Sequence, residues 1–332
     1  MVDLICCGAI NWDINLFMER LPRAGEEAPV KEIQRVSGGT AANVSVAAAR
    51  ILGPGRVAFI GVLGSDDVAE QQIRILGEEG VDHSGVVRVS DEESGQAYIT
   101  IGADGSNIIH TYFGANLRLR SSHLSEPRRL SLVEQSKVCV IMDPPIEAAE
   151  ELAFLCKKNG VTVIWDPGVY SEKGLDALRT TLRNTDYFIL NHLEYENLLG
   201  TSEPREVMKA LQSHAKGLKA IIKHGSEGST LCLDSSGAKI VMEAVPLDKL
   251  GMSVVNTVGC GDAFIGGFAS AKVEGLGDEE ALRRASAAGS FKATKKETRG
   301  GPTRQELLDL LEHWMALRAS ISSNVGEAAA VI

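Results

Sequence analysis

Short, continuous apolar runs alternate along this chain with stretches whose apolar residues recur at helical spacing. The chain opens with VDLICCGAINWDIN, an apolar run that breaks at Gly8 and ends in the polar Asn11 and Asp13. GGTAANVSVAAARILG then predicts a small-residue helix stopped by Gly53, RVAFIGVLG a strand, DVAEQQIRILGEEG an amphipathic helix and VDHSGVVRV another strand. The alternation continues through KVCVIMD, IEAAEELAFLCKKNG, VTVIWDPG, TDYFILN, REVMKALQSHAKGLK and AIIKHG. Strands without polar alternation, set between helices, predict an α/β fold: a doubly wound, mostly parallel central sheet covered on both faces.

Residues 14–36 and 94–113 break the pattern. SGQAYITIGADGSNIIHTYF alternates like half-exposed antiparallel strands around a turn at ADGS. These two segments are expected to form a small antiparallel β lid over a large domain made of 1–13, 37–93 and 114–318. Their open edges point to pairing between subunits, hence a homodimer. The segment 319–332 carries no clear structural signal and is expected to fray.

Composition narrows the function. The 332 residues are 44% hydrophobic and 23% charged, with a formal net charge of -10, which disfavours a nucleic-acid or anionic-membrane partner. No secretory leader pattern and no bilayer-length apolar run is visible, so a soluble, cytoplasmic protein is expected. The six cysteines lack metal-ligand spacing and read as reduced, buried thiols.

In an open parallel sheet, ligands gather beyond the carboxyl ends of the strands. Asn11, Asp13, Asp143, Asp166, Asn191, Glu194 and Lys223 all fall at such ends. The sharpest segment is NTVGCGDAFIGGF, 256–268, where Gly259, Cys260 and Gly261 precede a helix and can turn backbone N–H groups toward an anion. Asp262, at that helix start, would repel a phosphate. It suits a base that takes a proton from an attacking hydroxyl, although on the segment alone a helix cap is the simpler reading. There is no GxxxxGK[ST], and Phe264 stands where a dinucleotide fingerprint needs glycine, so a P-loop enzyme and an oxidoreductase both lack support.

SGGTAANVSVAAARILG, GAINWDI, GANLRL, NHLEYENLLG, KHGSEGS and NTVGCGDAFIGGF, in that order, resemble the signatures of the ribokinase-like (PfkB) carbohydrate kinase family. WDPGVY and TYFGANLRLR look more like its archaeal-type nucleoside kinases than like its fructokinases. The resemblance implies a kinase that uses ATP (or ADP) and Mg²⁺. Asp262 would be the catalytic base, with the backbone of Gly259, Cys260 and Gly261 as anion hole. Asn11, Asp13, Gly38, Gly39, Asn43 and Asp143 would hold the substrate. Asn191, Lys223, Gly225 and Gly228 would meet the nucleotide, and Glu194 would hold magnesium through water.

Two positions depart from the family pattern. Asn256 stands where many relatives carry an aspartate that helps to bind a monovalent cation, so potassium dependence is in question and activation should be weaker than in relatives with Asp there, although backbone oxygens near Ala293 to Gly300 could still bind an ion. Thr40 replaces the sugar-contacting lysine of ribokinase itself. Asn256 also resembles some phosphosugar kinases of the family. Arg118 and Arg120 either meet a substrate phosphate or are solvated, the second being favoured. His110, His123 and His224 read as structural. The expected activity is phosphorylation of a hydroxyl, a primary hydroxymethyl, on a sugar or nucleoside. The alternatives are an ATP- or ADP-dependent phosphosugar kinase and a noncatalytic sugar- or nucleoside-binding regulator.

Overall fold

The computed structural model describes residues 1–104 and 106–329. Its centre is an eight-stranded sheet in the spatial order Lys239–Met242, Ser229–Cys232, Lys219–Lys223, Tyr187–Asn191, Thr162–Asp166, Val138–Met142, Leu4–Gly8, Val57–Ile60. The last six of these run parallel, and the first two add an antiparallel edge. Every residue of Leu4–Gly8, Val57–Ile60 and Val138–Met142 is buried, which explains why these runs show no polar alternation.

The adjacent cysteines illustrate the pleat. Cys6 packs with Leu4 and Phe59 against the helices Thr40–Leu52, Cys260–Val273 and Asp278–Ala293. Cys7 packs with Ile5 and Ile60 on the opposite face, against Ile146–Lys158 and its neighbours. Two cores therefore sandwich one sheet, the doubly wound arrangement the sequence predicts.

A separate four-stranded sheet, Glu32–Gly38, Asn11–Met18, Gln96–Gly102, Asn107–Tyr112, projects from the main body. Its outer pairs are antiparallel and its middle pair is parallel. Asn11 and Asp13 lie on its second strand.

The run 56–64 divides at Gly61: Val57–Ile60 joins the main sheet, while Val62–Leu63 leaves it to pair with Val87–Arg88. Only those two residues of 81–89 form a strand. The Asp82 carboxylate takes the Ser84 amide at 2.8 Å, and Val86 N bonds His83 O, so 82–86 is a turn. The final helix runs Arg304–Ala329 and takes in most of the segment read as a tail, whose residues 330–332 lie outside the described residues. Among the described residues, no helix is long and apolar enough to cross a membrane.

Candidate active site

The helix Cys260–Val273 is pressed into its neighbours by glycine. A Cβ at Gly266 would meet Ala47, and one at Gly267 would meet Ala288, so the "small-residue" composition lets three helices approach closely. Gly259 enters the helix at φ 84°, a left-handed turn where a side chain would also run into Thr298 O. Cys260 N donates to Thr257 O at 3.2 Å, whereas the amides of Gly259 and Gly261 have no partner among the described residues. Two free donors at a helix N-terminus make a site for an anion.

Asp262 sits in the first turn of this helix. Its carboxylate accepts from Asn43 Nδ2 at 2.8 Å. Burial raises its pKa to about 7; the Asn43 bond and the Lys223 charge oppose that rise, and Asp166 and Asp13 add to it. A carboxylate with a pKa near neutrality suits proton abstraction.

The parallel strands deliver the next groups, because Gly8, Met142 and Asp166 share one register, as do Asn191 and Lys223. Asp166 is buried and pairs with Lys223 Nζ at 3.0 Å. Burial lowers the Lys223 pKa, but Asp166, Glu194 and Asp262 outweigh it and the net shift is upward. Glu194 is shifted up by burial and by Asp166. Asn191 and Glu194 form a reciprocal cap: Asn191 Oδ1 accepts the Glu194 amide at 2.9 Å, and Glu194 Oε2 accepts the Asn191 amide at 2.7 Å. The capping role weighed against a functional one is thus present, and the charges of Asp166 and Lys223 both act on the Glu194 carboxyl. Gly225 and Gly228, both at positive φ, shape the turn after Lys223.

Asp143 is the single non-glycine residue with positive φ, 55°, among the described residues. Thr40 Oγ1 donates to its Oδ2 at 2.8 Å and the Val169 amide to its Oδ1 at 3.0 Å. Burial, with Asp166 next, raises its pKa to about 7. Such strain, held in place by two donors at a strand end, is typical of a site rather than of a plain turn.

The far side of the cleft is built from the second sheet. Gly38 lies flat against the Asp13 carboxylate, leaving no room for a Cβ, and Gly39 does the same against Asn11 N. Asp13 is buried, and burial lifts its pKa to about 7 despite the Arg299 charge. Asn116 orients Asn11: its Nδ2 donates to Asn11 Oδ1 at 2.9 Å and its Oδ1 accepts from Ile10 N at 2.9 Å. Arg299 Nε donates to Asn43 Oδ1 at 2.8 Å and its Nη2 to Gly38 O at 2.9 Å. Asn43 is therefore clamped between Arg299 and Asp262.

Sequence reasoning missed Asn116 and Arg299 as positioning groups. Asn116 lies in GANLRL, whose order was noted without a role, and Arg299 lies in TRGG, which carries no chemical pattern of its own. Other expected residues fall elsewhere. Arg118 Nη2 pairs with Asp91 and Glu92 at 3.3 and 3.2 Å, and Arg120 Nη1 donates to Leu117 O and Leu119 O. His123 caps the Arg120 amide and His224 faces Thr230. Asn256 is tied to Lys296 O at 2.8 Å and to Val258 N at 3.0 Å.

Residues 1–304 match the model of the pfkB family carbohydrate kinases, and the chain belongs to that family. It is 31% identical to a ribokinase of Haemophilus influenzae, across 93% of this chain and 98% of that one. An ATP-dependent ribose-1-phosphate kinase of Halopiger xanaduensis is 28% identical, covering 91% and 96%. Among solved structures, Arabidopsis thaliana ribokinase complexed with ribose and ATP superposes with a TM-score of 0.83 at 30% identity, covering 94% of this chain and 99% of that one. The chain is thus a phosphotransferase with an alcohol group as acceptor.

Proposed function

We propose that this protein transfers the terminal phosphoryl group of ATP to the primary hydroxymethyl of a free pentose or a nucleoside. The observation that carries the reading is Asp262: a base with a pKa of about 7, beside two unpaired amides at a helix N-terminus, facing the Asn43–Arg299 clamp. Asp262 takes the proton as the hydroxyl oxygen attacks the phosphorus, and the Gly259 and Gly261 amides meet the charge that builds on the phosphoryl oxygens. Asn11 and Asp13 orient the remaining hydroxyls, and Lys223 lies where it can meet the departing phosphate. The ribokinases among the relatives favour ribose as the first substrate to try.

Magnesium fits the residues present. Asp166 and Glu194 offer hard carboxylate oxygens close enough to raise the Glu194 pKa, and a divalent ion would neutralise the nucleotide's phosphates there. Among the described residues no group of three His, Cys, Asp or Glu side chains forms a complete cage. That suits an ion held largely by water and phosphate.

The phosphosugar alternative is less favoured, because its anchors Arg118 and Arg120 each already hold partners of their own. A panel of ribose, other sugars, nucleosides and sugar phosphates, each with ATP and with ADP, tests the reading. Turnover should be fastest with ATP and an unphosphorylated acceptor. Preferred turnover of a sugar phosphate, or binding without turnover throughout, would overturn it.

A further inference from the structure

Behind the 259–262 turn lies a charge that the mechanism does not use. Lys292, in the last turn of Asp278–Ala293, is fully buried, with no measurable exposure. Its ammonium donates to Asn256 O at 2.8 Å and to Lys295 O at 3.4 Å, and among the described residues it forms no ion pair. Burying a cation on two carbonyl oxygens is costly: burial lowers the Lys292 pKa even though the charges of Glu297 and Asp262 act to raise it, and an apolar side chain would fill the same space at less cost. The position is otherwise cross-linked by neutral bonds. Val255 N and Asn256 N both donate to Ala293 O, at 2.7 and 3.1 Å, and Asn256 Nδ2 donates to Lys296 O.

We infer that Lys292 is a positioning residue: its ammonium is an internal cation that fixes the Asn256–Gly261 turn, and with it the anion-binding amides, in place of an exchangeable monovalent ion. The argument is one of donor sets. A bound potassium ion needs several oxygens converging on one point, including some not already committed. Here Asn256 O and Lys295 O face an ammonium. The Asn256 side chain brings no charge, its oxygen accepting from Val258 N and its nitrogen donating to Lys296 O. Asn256 O, Asn256 Oδ1, Ala293 O, Lys295 O and Lys296 O are thus already committed to donors rather than open to a potassium ion. Lys292 also stands at a helix C-terminus, where the last carbonyls favour positive charge, and close to Cys260, whose thiol it influences. Its ammonium thereby joins the C-terminus of one helix to the loop that starts the next. The inference rests on the reading of the Gly259–Gly261 turn as the phosphoryl site.

Two variants test it, Lys292→Met, which keeps the length of the chain without its charge, and Lys292→Ala, which opens a cavity. Melting temperature and amide exchange at 257–261 are followed in potassium, sodium and choline chloride at equal ionic strength, together with kcat and KM for the kinase reaction. The wild type should melt and turn over alike in all three salts. Lys292→Met should exchange faster at 257–261 and lose kcat by roughly tenfold or more, with KM changed by less than about threefold, as expected for loss of an interaction that matters only in the transition state. Lys292→Ala should regain melting temperature in potassium or methylammonium chloride and not in choline chloride. A wild type stabilised or activated specifically by potassium would overturn the inference. So would Lys292→Met with wild-type exchange and kcat, or Lys292→Ala indifferent to the cation. Melting and exchange need no turnover, so a failure of the kinase reading would show separately from a failure of this one.

Discussion

The two sheets of this protein use the alternation of side chains in different ways. In the six parallel strands of the larger sheet both faces are apolar and buried, and polar groups stand where strands end, among them Asp143, Asp166, Asn191 and Lys223. In the smaller sheet the strand Asn11–Met18 turns polar side chains inward, beside the buried Ala97 and Ile99 of its neighbour. Asp13 and Asn15 are buried toward the body, while Ile14 and Leu16 between them face out. The first sheet thus supplies a rigid rim on which charge can be placed, and the second brings Asp13 and Asn15 toward the body. On the function proposed above, the labour divides: helix termini and strand ends would handle the phosphoryl group, and side chains of the smaller sheet the acceptor's hydroxyls.

Two substitutions, one from each side, give the largest expected effects. Asp262→Asn keeps the Asn43 contact and removes the base, so kcat should fall about 10²- to 10⁴-fold with ribose and ATP binding retained. Asp13→Asn removes a charged acceptor for a hydroxyl; the loss should be about 1.5–3 kcal/mol, roughly ten- to hundredfold in kcat/KM, carried mainly by KM. Steady-state kinetics and calorimetric binding separate the two. A kcat defect in Asp13→Asn as deep as that of Asp262→Asn would end the division of labour.

A smaller effect comes from pH. With the Asp262 pKa raised to about 7, kcat/KM should fall about tenfold per unit below that pH and level off above it. Asp13 contributes to that rise, so Asp13→Asn should move the acid limb to lower pH. Stability carries the same signature with a definite sign. The folded state holds the Asp262 proton more tightly than the unfolded chain does, so ionisation between the ordinary 3.8 and about 7 destabilises the fold. A pH–rate profile flat from 5.5 to 8 in the wild type would remove Asp262 as the titrating base.

Much of this was legible in the sequence because it is local. Continuous apolar runs announced the buried sheet, and GCGD placed glycines and a carboxylate within one turn. The groups that could not be read act across long separations. Arg299 reaches Asn43 over 256 residues and Asn116 reaches Asn11 over 105, and neither spacing leaves a periodic trace. Lys292 was hidden for another reason: a lysine in the last turn of a helix ordinarily serves the helix dipole from the surface, and only packing shows it buried. Substrate choice stayed illegible because the proposed acceptor groups Asn11, Asp13, Thr40 and Asp143 come together only across both sheets.

The outward face of the smaller sheet carries the last and mildest prediction for catalysis. Ile33, Tyr98, Ile108 and Tyr112 are 49%, 41%, 43% and 42% exposed on that face, with Ile14 and Leu16 half-buried between them. These exposed apolar side chains, set among Arg35, Thr100 and His110, suit a cover, and the outer strand Asn107–Tyr112 is an unpaired edge. A second copy of the chain, presenting the same face about a two-fold axis, would cover it. Ile108→Lys puts a charge on that face, on the side of the sheet away from Asp13. Light scattering should then report a dimer for the wild type and a monomer for the variant, with kcat held to within about twofold because no group of the rim has moved. A monomeric wild type would mean that the exposed face of the smaller sheet serves the single chain alone and needs no partner.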